Sequence, residues 1–288
     1  MKTQSAYHRG VRRVLLITLF LNLVVVVGKL VIGLLANALS VISDAGHSAT
    51  DSINNLVGLL ILRVATAEAD EDHPYGHRKF ESLASFGIGG LLLVTCFEVG
   101  KSAVGRLFDP STIGIEVSGL TLGGMVGTIL VNIFVYVYER REGERLGSHY
   151  LIADSLHTRS DILVSSALLV GLLFMRLGLP WLDPVFALFI AGLIAHAGWQ
   201  IFQRTVPVLV DAAPLEPARV QAIARDVSGV NEVYAIRSRS DGEHLYIEFN
   251  LSVKPDDVYR AHLITEEIER RLAHELGPCD VTIHVEPP

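Results

Sequence analysis

Six apolar stretches recur along the first two thirds of the chain, at about 14–35, 39–62, 82–105, 114–137, 151–175 and 181–203. Each has the roughly 20 residues that a helix needs to cross a hydrocarbon core, so the pattern predicts six membrane-spanning helices. After Arg204 the long runs give way to short amphipathic ones separated by turns. Pro214-Leu-Glu-Pro217 predicts a helix over 216–227, and 230–239 and 245–253 alternate like two strands around Ser240-Asp-Gly-Glu243. A longer helix is expected from Pro255-Asp-Asp257 to about Leu276, stopped by Gly277-Pro278, and a last strand over 280–285. This αββαβ, ferredoxin-like order suits a two-layer α+β module. The chain therefore reads as an α-helical membrane protein. A transmembrane domain over 1–203 is followed by a linker over 204–214 and a small C-terminal domain over 215–288.

Composition agrees with the pattern. Of 288 residues, 50% are hydrophobic and only 19% charged, and the mean hydropathy is +0.41, values that fit a membrane protein better than a soluble globule. Basic residues favour the cytoplasmic side of short connections. Lys2, Arg9, Arg12 and Arg13 precede the first span; Arg63, Arg78 and Lys79 lie in the second connection and Arg140, Arg141 and Arg145 in the fourth. The opposite side has only Lys101, Arg106 and Arg176. Both termini are expected inside, in agreement with an even number of spans. The first apolar run is too long for a signal-peptide core and no small-residue cleavage site follows it. Compact loops without a targeting extension point to a bacterial inner membrane. Residues 1–203 hold 15 Lys+Arg against 16 Asp+Glu, and the last 85 hold 9 against 15, so the net charge of -7 sits almost wholly in the tail. That excess argues against a nucleic-acid partner, which would require a basic surface. Cys96 and Cys279 are too few and too far apart for a disulfide framework or a cysteine zinc site.

Within the second and fifth spans one pattern occurs twice: Asp44-Ala-Gly-His47-Ser-Ala-Thr-Asp51 and Asp154-Ser-Leu-His157-Thr-Arg-Ser-Asp161. The histidine and the second aspartate are four apart, so they share a helix face one turn apart. Ionisable groups inside a span are costly, at least about 2.5 kcal/mol for a central Asp, and mark function by default. Two such faces meeting would offer two imidazoles and two carboxylates, His47, Asp51, His157 and Asp161. That N/O set suits tetrahedral Zn²⁺ and, less exclusively, other first-row divalent ions. Asp44 and Asp154, three residues before each histidine, are candidates for supporting the ligands or handling protons. Lys29, Glu98 and Lys101 read as bundle-facing or snorkelling residues, and His196 as hydrogen-bonded inside the bundle.

The twin motif resembles the cation diffusion facilitator family of divalent-metal transporters, and the resemblance covers essentially the whole chain. It implies six spans with both termini inside, a cytoplasmic αββαβ domain, a homodimer, and a transport site on His47, Asp51, His157 and Asp161. The stretch Asp70-Glu-Asp-His73-Pro-Tyr-Gly76-His77-Arg-Lys79 is similar to a family signature, which implies a loop zinc site on Asp70, His73 and His77. The same resemblance pairs Lys79 with Asp211 as a charge interlock between loop and tail. In the tail it implies metal ligands at His262, His284 and Glu286. There the chain departs from the family pattern, because Tyr234 and Asn250 stand where zinc-binding members carry histidine.

Metal binding requires neutral imidazole and ionised carboxylate, so protons compete with the ion, and histidine with a reference pKa of about 6.5 is suited to that exchange. The expected activity is export of Zn²⁺, with Cd²⁺ as a further substrate, in exchange for protons by alternating access. Zn²⁺ is then the substrate and a structural or regulatory ion as well. No G-x-x-x-x-G-K-[ST] phosphate loop is present, so no nucleotide is expected. Family correlation and the preference of imidazole for zinc favour that ion, but export of Fe²⁺ or Mn²⁺ by the same fold stays open, as does a metal sensor or scaffold that does not transport. An intramembrane metalloenzyme fits worst, since four ligands leave no open position and no nearby general base is evident.

Overall fold

The helices that the apolar runs predict are present, and they outrun those runs. In the computed structural model, which describes residues 2–35, 39–108, 119–176, 181–242, 244–254 and 257–287, the order is α1 (Lys2–Leu35), α2 (Leu39–Ala65), α3 (Lys79–Phe108), α4 (Gly119–Leu146), α5 (His149–Arg176) and α6 (Leu182–Leu209). Arg140, Arg141 and Arg145, expected in a connection, lie in α4 instead. Ion pairs spaced for a helix surface, Arg140 to Glu144 at 2.5 Å and Arg145 to Glu142 at 2.5 Å, let the helix continue past its apolar part. Gly147, with φ of +70°, then ends it in the left-handed conformation that glycine adopts without penalty. Only Gly147 and Ser148 separate α4 from α5. The start of the fourth predicted span, 114–118, lies outside the described residues.

The chain divides into two compact units, 1–205 and 206–288. Among the described residues, four stretches are long and apolar enough to cross a membrane: Tyr7–Val31, Lys79–Phe108, Leu122–Leu146 and Leu182–Leu209. This unit inverts the usual arrangement of a soluble protein. Phe20, Val27, Phe97, Leu130, Phe134, Phe189 and Trp199 point outward, while Thr18, Asn22, Asn55, Glu139, Asp154, His157 and Asp161 are buried. An apolar exterior suits lipid, and polar groups turned inward meet one another instead. The interior is closed by Val11, Val14 and Leu15 of α1, Leu62 of α2, Ile88 and Leu92 of α3, Leu151 and Leu156 of α5, and Ile190, Ile194 and Ile201 of α6.

Helices α3 and α6 run antiparallel. A Cβ at Gly198 would lie 3.3 Å from the Gly89 carbonyl oxygen, the close backbone approach that small residues permit in membranes. Along the same seam Cys96 Sγ donates to Ala191 O at 3.3 Å, and Arg106 pairs with buried Asp183 at 2.9 Å. His196 departs from expectation. It is exposed on α6 and bonds Gln200, one turn on, at 3.0 Å. Glu98 and Lys101 are exposed on α3 and do not face the bundle, which leaves the snorkelling half of their reading.

The second unit contains α7 (Pro217–Arg225), β1 (Val230–Ser240), β2 (Leu245–Val253), α8 (Val258–Leu276) and β3 (Cys279–Glu286). Pro217 starts α7 at a position where its missing N–H costs nothing. Asp257 caps α8 by accepting from the Arg260 N–H at 2.8 Å. The sheet order is β1-β2-β3, antiparallel between β1 and β2 and parallel between β2 and β3. Val233, Ile247, Phe249 and Leu251 on one sheet face form a core with Val220 of α7 and Ile268 and Leu272 of α8. On the other face the register sets Tyr234 beside Asn250 and Asn250 beside His284.

Candidate metal centre

The helix α5 carries its half of the repeated motif into the interior. His157 and Asp161 are both buried, and Nε2 of the first lies 3.9 Å from Oδ2 of the second, the one-turn spacing that the sequence dictates. Asp154, one turn earlier, is buried as well and accepts a hydrogen bond of 3.1 Å from Asn55 Nδ2 of α2. The other half of the motif falls within α2, but the side chains of Asp44, His47 and Asp51 lie outside the described residues.

Between α2 and α3 the loop gathers three donors. Asp70 Oδ1 is 3.2 Å from His73 Nδ1, and Asp70 Oδ2 is 3.3 Å from His77 Nε2. One ligand atom from each residue falls within 4.8 Å of the others. The local fold explains the convergence. His73 donates its backbone N–H to Asp70 Oδ1 at 2.7 Å, and its carbonyl accepts from the N–H of Gly76 at 2.9 Å. Gly76 adopts φ of +84°, a conformation that a side chain would strain, and turns the chain so that the His77 ring comes within 4.4 Å of the His73 ring. His77 is buried, stacked on Phe80 at 5.9 Å, and its Nδ1 has no hydrogen-bond partner. Asp70 and His73 reach solvent, so an ion could enter from that side. The backbone N–H of His73 is the main cause that holds the Asp70 carboxyl below its usual range; partial burial opposes it and the two imidazoles reinforce it. An ionised carboxylate between two imidazoles is a three-donor N/O set of the kind that binds zinc.

The tail residues do not converge within one protomer. His262, on α8, is exposed and 3.4 Å from Glu266. His284 and Glu286 are on β3, 3.4 Å apart, on the sheet face away from the helices. Glu286 also accepts a short hydrogen bond from the Tyr234 hydroxyl and a 3.4 Å bond from Asn250 Nδ2. The two residues that replace histidine thus hold the carboxylate themselves. Lys79 is the first residue of α3, and Asp211, in the second unit, has φ of +55° and lies 4.0 Å from Arg239 Nη1.

Several interior polar residues form a framework that spacing alone did not announce. Asn55 lies four residues after Asp51, and its amide is bonded on both sides: Nδ2 to Thr18 Oγ1 at 3.2 Å and to Asp154, Oδ1 from Asn22 Nδ2 at 2.8 Å. Glu139 of α4, only 1% exposed, accepts from Thr158 Oγ1 at 3.2 Å. Lys29 is buried and donates to Ser48 Oγ at 2.7 Å, so it pairs inside the unit. The usable signal was polarity at a fixed interval: Asn55 continues the four-residue series of His47 and Asp51 along one face of α2.

Comparison with known proteins accords with this architecture. Residues 15–210 match the family model for the cation efflux transmembrane domain, and residues 213–288 that for the cation efflux protein cytoplasmic domain. An uncharacterized transporter of Methanocaldococcus jannaschii is 32% identical over 92% of this chain and 94% of its own. The manganese efflux system protein MneS of Bacillus subtilis is 30% identical, covering 90% of this chain and 89% of its own. The cation-efflux pump FieF of Shewanella oneidensis is 28% identical, covering 90% and 88%. Both units are thus matched by family models and the relatives are matched along nearly their whole length, so the chain belongs to the cation diffusion facilitator, or cation efflux, family of divalent-metal transporters.

Proposed function

We propose that the protein exports Zn²⁺, and Cd²⁺ by the same route, in exchange for protons, through a site made of His47, Asp51, His157 and Asp161. The observation that carries this reading is the buried His157–Asp161 pair on α5, whose spacing recurs on α2. The helix register supports the second half. Gly58 of α2 meets Tyr150 of α5, and Asn55 meets Asp154, so α2 descends as α5 rises. The same register continued by two turns pairs position 51 with 157 and position 47 with 161. Two imidazoles and two carboxylates favour zinc over the harder ions.

Each imidazole must be neutral to bind metal, so loading releases protons and protonation promotes release. Six spans, both termini in the cytoplasm, an inner-membrane location, a domain boundary in the 204–214 linker and a dimer formed through the tail complete the proposal. Asp70, His73 and His77 are assigned a second, loop-borne zinc site. Asp44 supports the ligands from α2. Manganese is the alternative cargo, since a 30% identical relative is a manganese efflux protein.

Uptake of Zn²⁺, Cd²⁺, Mn²⁺ and Fe²⁺ by proteoliposomes, with and without an imposed pH gradient, tests the whole. The expected result is zinc uptake that follows the gradient and disappears in Asp51→Ala and Asp161→Ala. Manganese-selective uptake would overturn the choice of ion, and uptake indifferent to pH would overturn the exchange.

A further inference from the structure

The structure assigns a positioning role to Asn55 and Tyr150: together they form a clamp that fixes the distance between α2 and α5 one to two turns from the metal ligands, and so sets which ion the site accepts. The inference rests on the proposed four-ligand site and adds residues that do not themselves bind metal.

Three contacts define the clamp. Tyr150 donates its hydroxyl to the Asn54 carbonyl at 2.7 Å, an oxygen within the helix α2. The face of its ring fills the space over Gly58: a Cβ there would lie 2.5 Å from Cε1 and 2.6 Å from Cζ and Oη, so glycine lets the ring lie directly on the α2 backbone. One turn further, Asn55 Nδ2 reaches Asp154 Oδ2 at 3.1 Å. Each arm is itself held. The Tyr150 backbone N–H donates to Glu81 of α3 at 3.1 Å, and Asn55 is oriented by Thr18 and Asn22 of α1. Both hydrogens of the Asn55 amide and its oxygen are engaged, which leaves the side chain one orientation. Asn55, Asp154 and Tyr150 are buried, where a polar group that loses its partner costs about 1–3 kcal/mol, so the arrangement resists slippage.

The consequence for selectivity follows from bond lengths. Zinc binds imidazole nitrogen at about 2.0–2.1 Å and carboxylate oxygen at about 2.0–2.2 Å, and needs the two helices close. The larger cadmium ion tolerates a wider gap. A clamp that holds α2 against α5 therefore favours zinc, and releasing it costs zinc more than cadmium.

The test is a pair of binding titrations, Zn²⁺ and Cd²⁺, on the full-length protein in lipid nanodiscs. A background of His77→Ala with His284→Ala removes the other candidate ligand sets. Asn55→Leu, which keeps the volume and removes the hydrogen bonds, is expected to weaken zinc at least tenfold and cadmium less than threefold. Tyr150→Phe, which removes only the bond to Asn54, is expected to shift the zinc to cadmium ratio in the same direction by about threefold, and serves if the first variant does not fold. Unchanged dissociation constants in Asn55→Leu and Tyr150→Phe, or equal weakening of both ions, would overturn the clamp even if the melting temperature falls. Asp161→Ala separates the two levels of the argument: if it leaves zinc binding intact, the four-ligand site itself is wrong, and the clamp falls with it.

Discussion

Glu81, in the first turn of α3, accepts a 2.5 Å hydrogen bond from the hydroxyl of Ser148, the residue just before α5. The same carboxylate takes the Tyr150 N–H and the hydroxyl of Tyr7 on α1, and Arg78 lies 5.6 Å over the Tyr7 ring. One acidic group thereby satisfies an otherwise unpaired amide at the start of α5 and joins three helices at the end of the bundle where the α4–α5 turn lies. Replacing Glu81 by Ala leaves those donors without an acceptor, at about 1–3 kcal/mol for each one that stays buried. A fall of several degrees in the thermal midpoint of the purified protein is expected for Glu81→Ala, and a smaller one for Glu81→Gln, which keeps one acceptor oxygen.

Gly58→Ala tests the packing of α2 on α5. The added methyl would sit well inside contact distance of the Tyr150 ring, an overpacking that costs about 1–3 kcal/mol. The variant should lose thermal stability while Gly28→Ala, where nothing lies within 4 Å of the new carbon, should not. Equal behaviour of the two would refute the close approach.

The loop donors predict an ion-dependent melting temperature. Chelation of bound zinc should lower the midpoint of the parent, and His77→Ala should abolish that response while reducing the zinc bound per chain by one. Because both imidazoles must be neutral to bind metal, the loop should hold its ion less tightly at pH 5 than at pH 8. An equilibrium-dialysis curve flat between pH 8 and pH 5 would contradict the assignment.

In the tail, Arg270 and Arg271 hydrogen-bond Glu267 and hold its carboxyl below the usual range, with burial opposing. Arg271 also reaches Asp226 just beyond α7. A carboxyl whose folded pKa is depressed contributes stability above its unfolded value of about 4.3 and loses it as pH falls through the folded value. The parent should therefore lose stability below about pH 4.3 more steeply than Glu267→Gln. Since the cluster is exposed, the difference is expected to be small and to shrink further in high salt, as thermal melts at two ionic strengths would show.

Ala235 has φ of +53° at the irregularity between Tyr234 and Arg237 in β1. A left-handed conformation costs a non-glycine residue about 1–2 kcal/mol, so Ala235→Gly should raise the stability of the tail by about 1 kcal/mol, less the entropy that glycine restores to the unfolded chain. A destabilised variant would mean that the methyl group packs usefully.

How much of this could be read from the residues alone differs between the two units. Apolar runs located all six long helices, because membrane burial demands length and uniformity, and alternation located the three strands. Helix ends were less legible. Hydropathy stops where charge begins, but α4 continues through Arg140, Arg141 and Arg145 because the helix pairs them with its own glutamates. The twin His–Asp pairs were visible as repeated spacing, and the loop histidines as a cluster around a glycine. Glu139 and Tyr150 stayed hidden, since their meaning depends on partners 19 and 96 positions away and no local pattern encodes such partners. A lone histidine in an apolar run does not announce its face: hydropathy reads His196 as interior, but its helix face turns it outward.

The bonds that Tyr234 and Asn250 make to Glu286 have a consequence for the order in which sites fill. An ion that arrives at Asp70 meets a carboxylate already charged and two imidazoles close at hand, whereas one that arrives at Glu286 must first evict a phenol and an amide. Were both to take metal, the loop would fill at scarcer metal than the tail, and a single polypeptide would carry two thresholds on one scale of concentration.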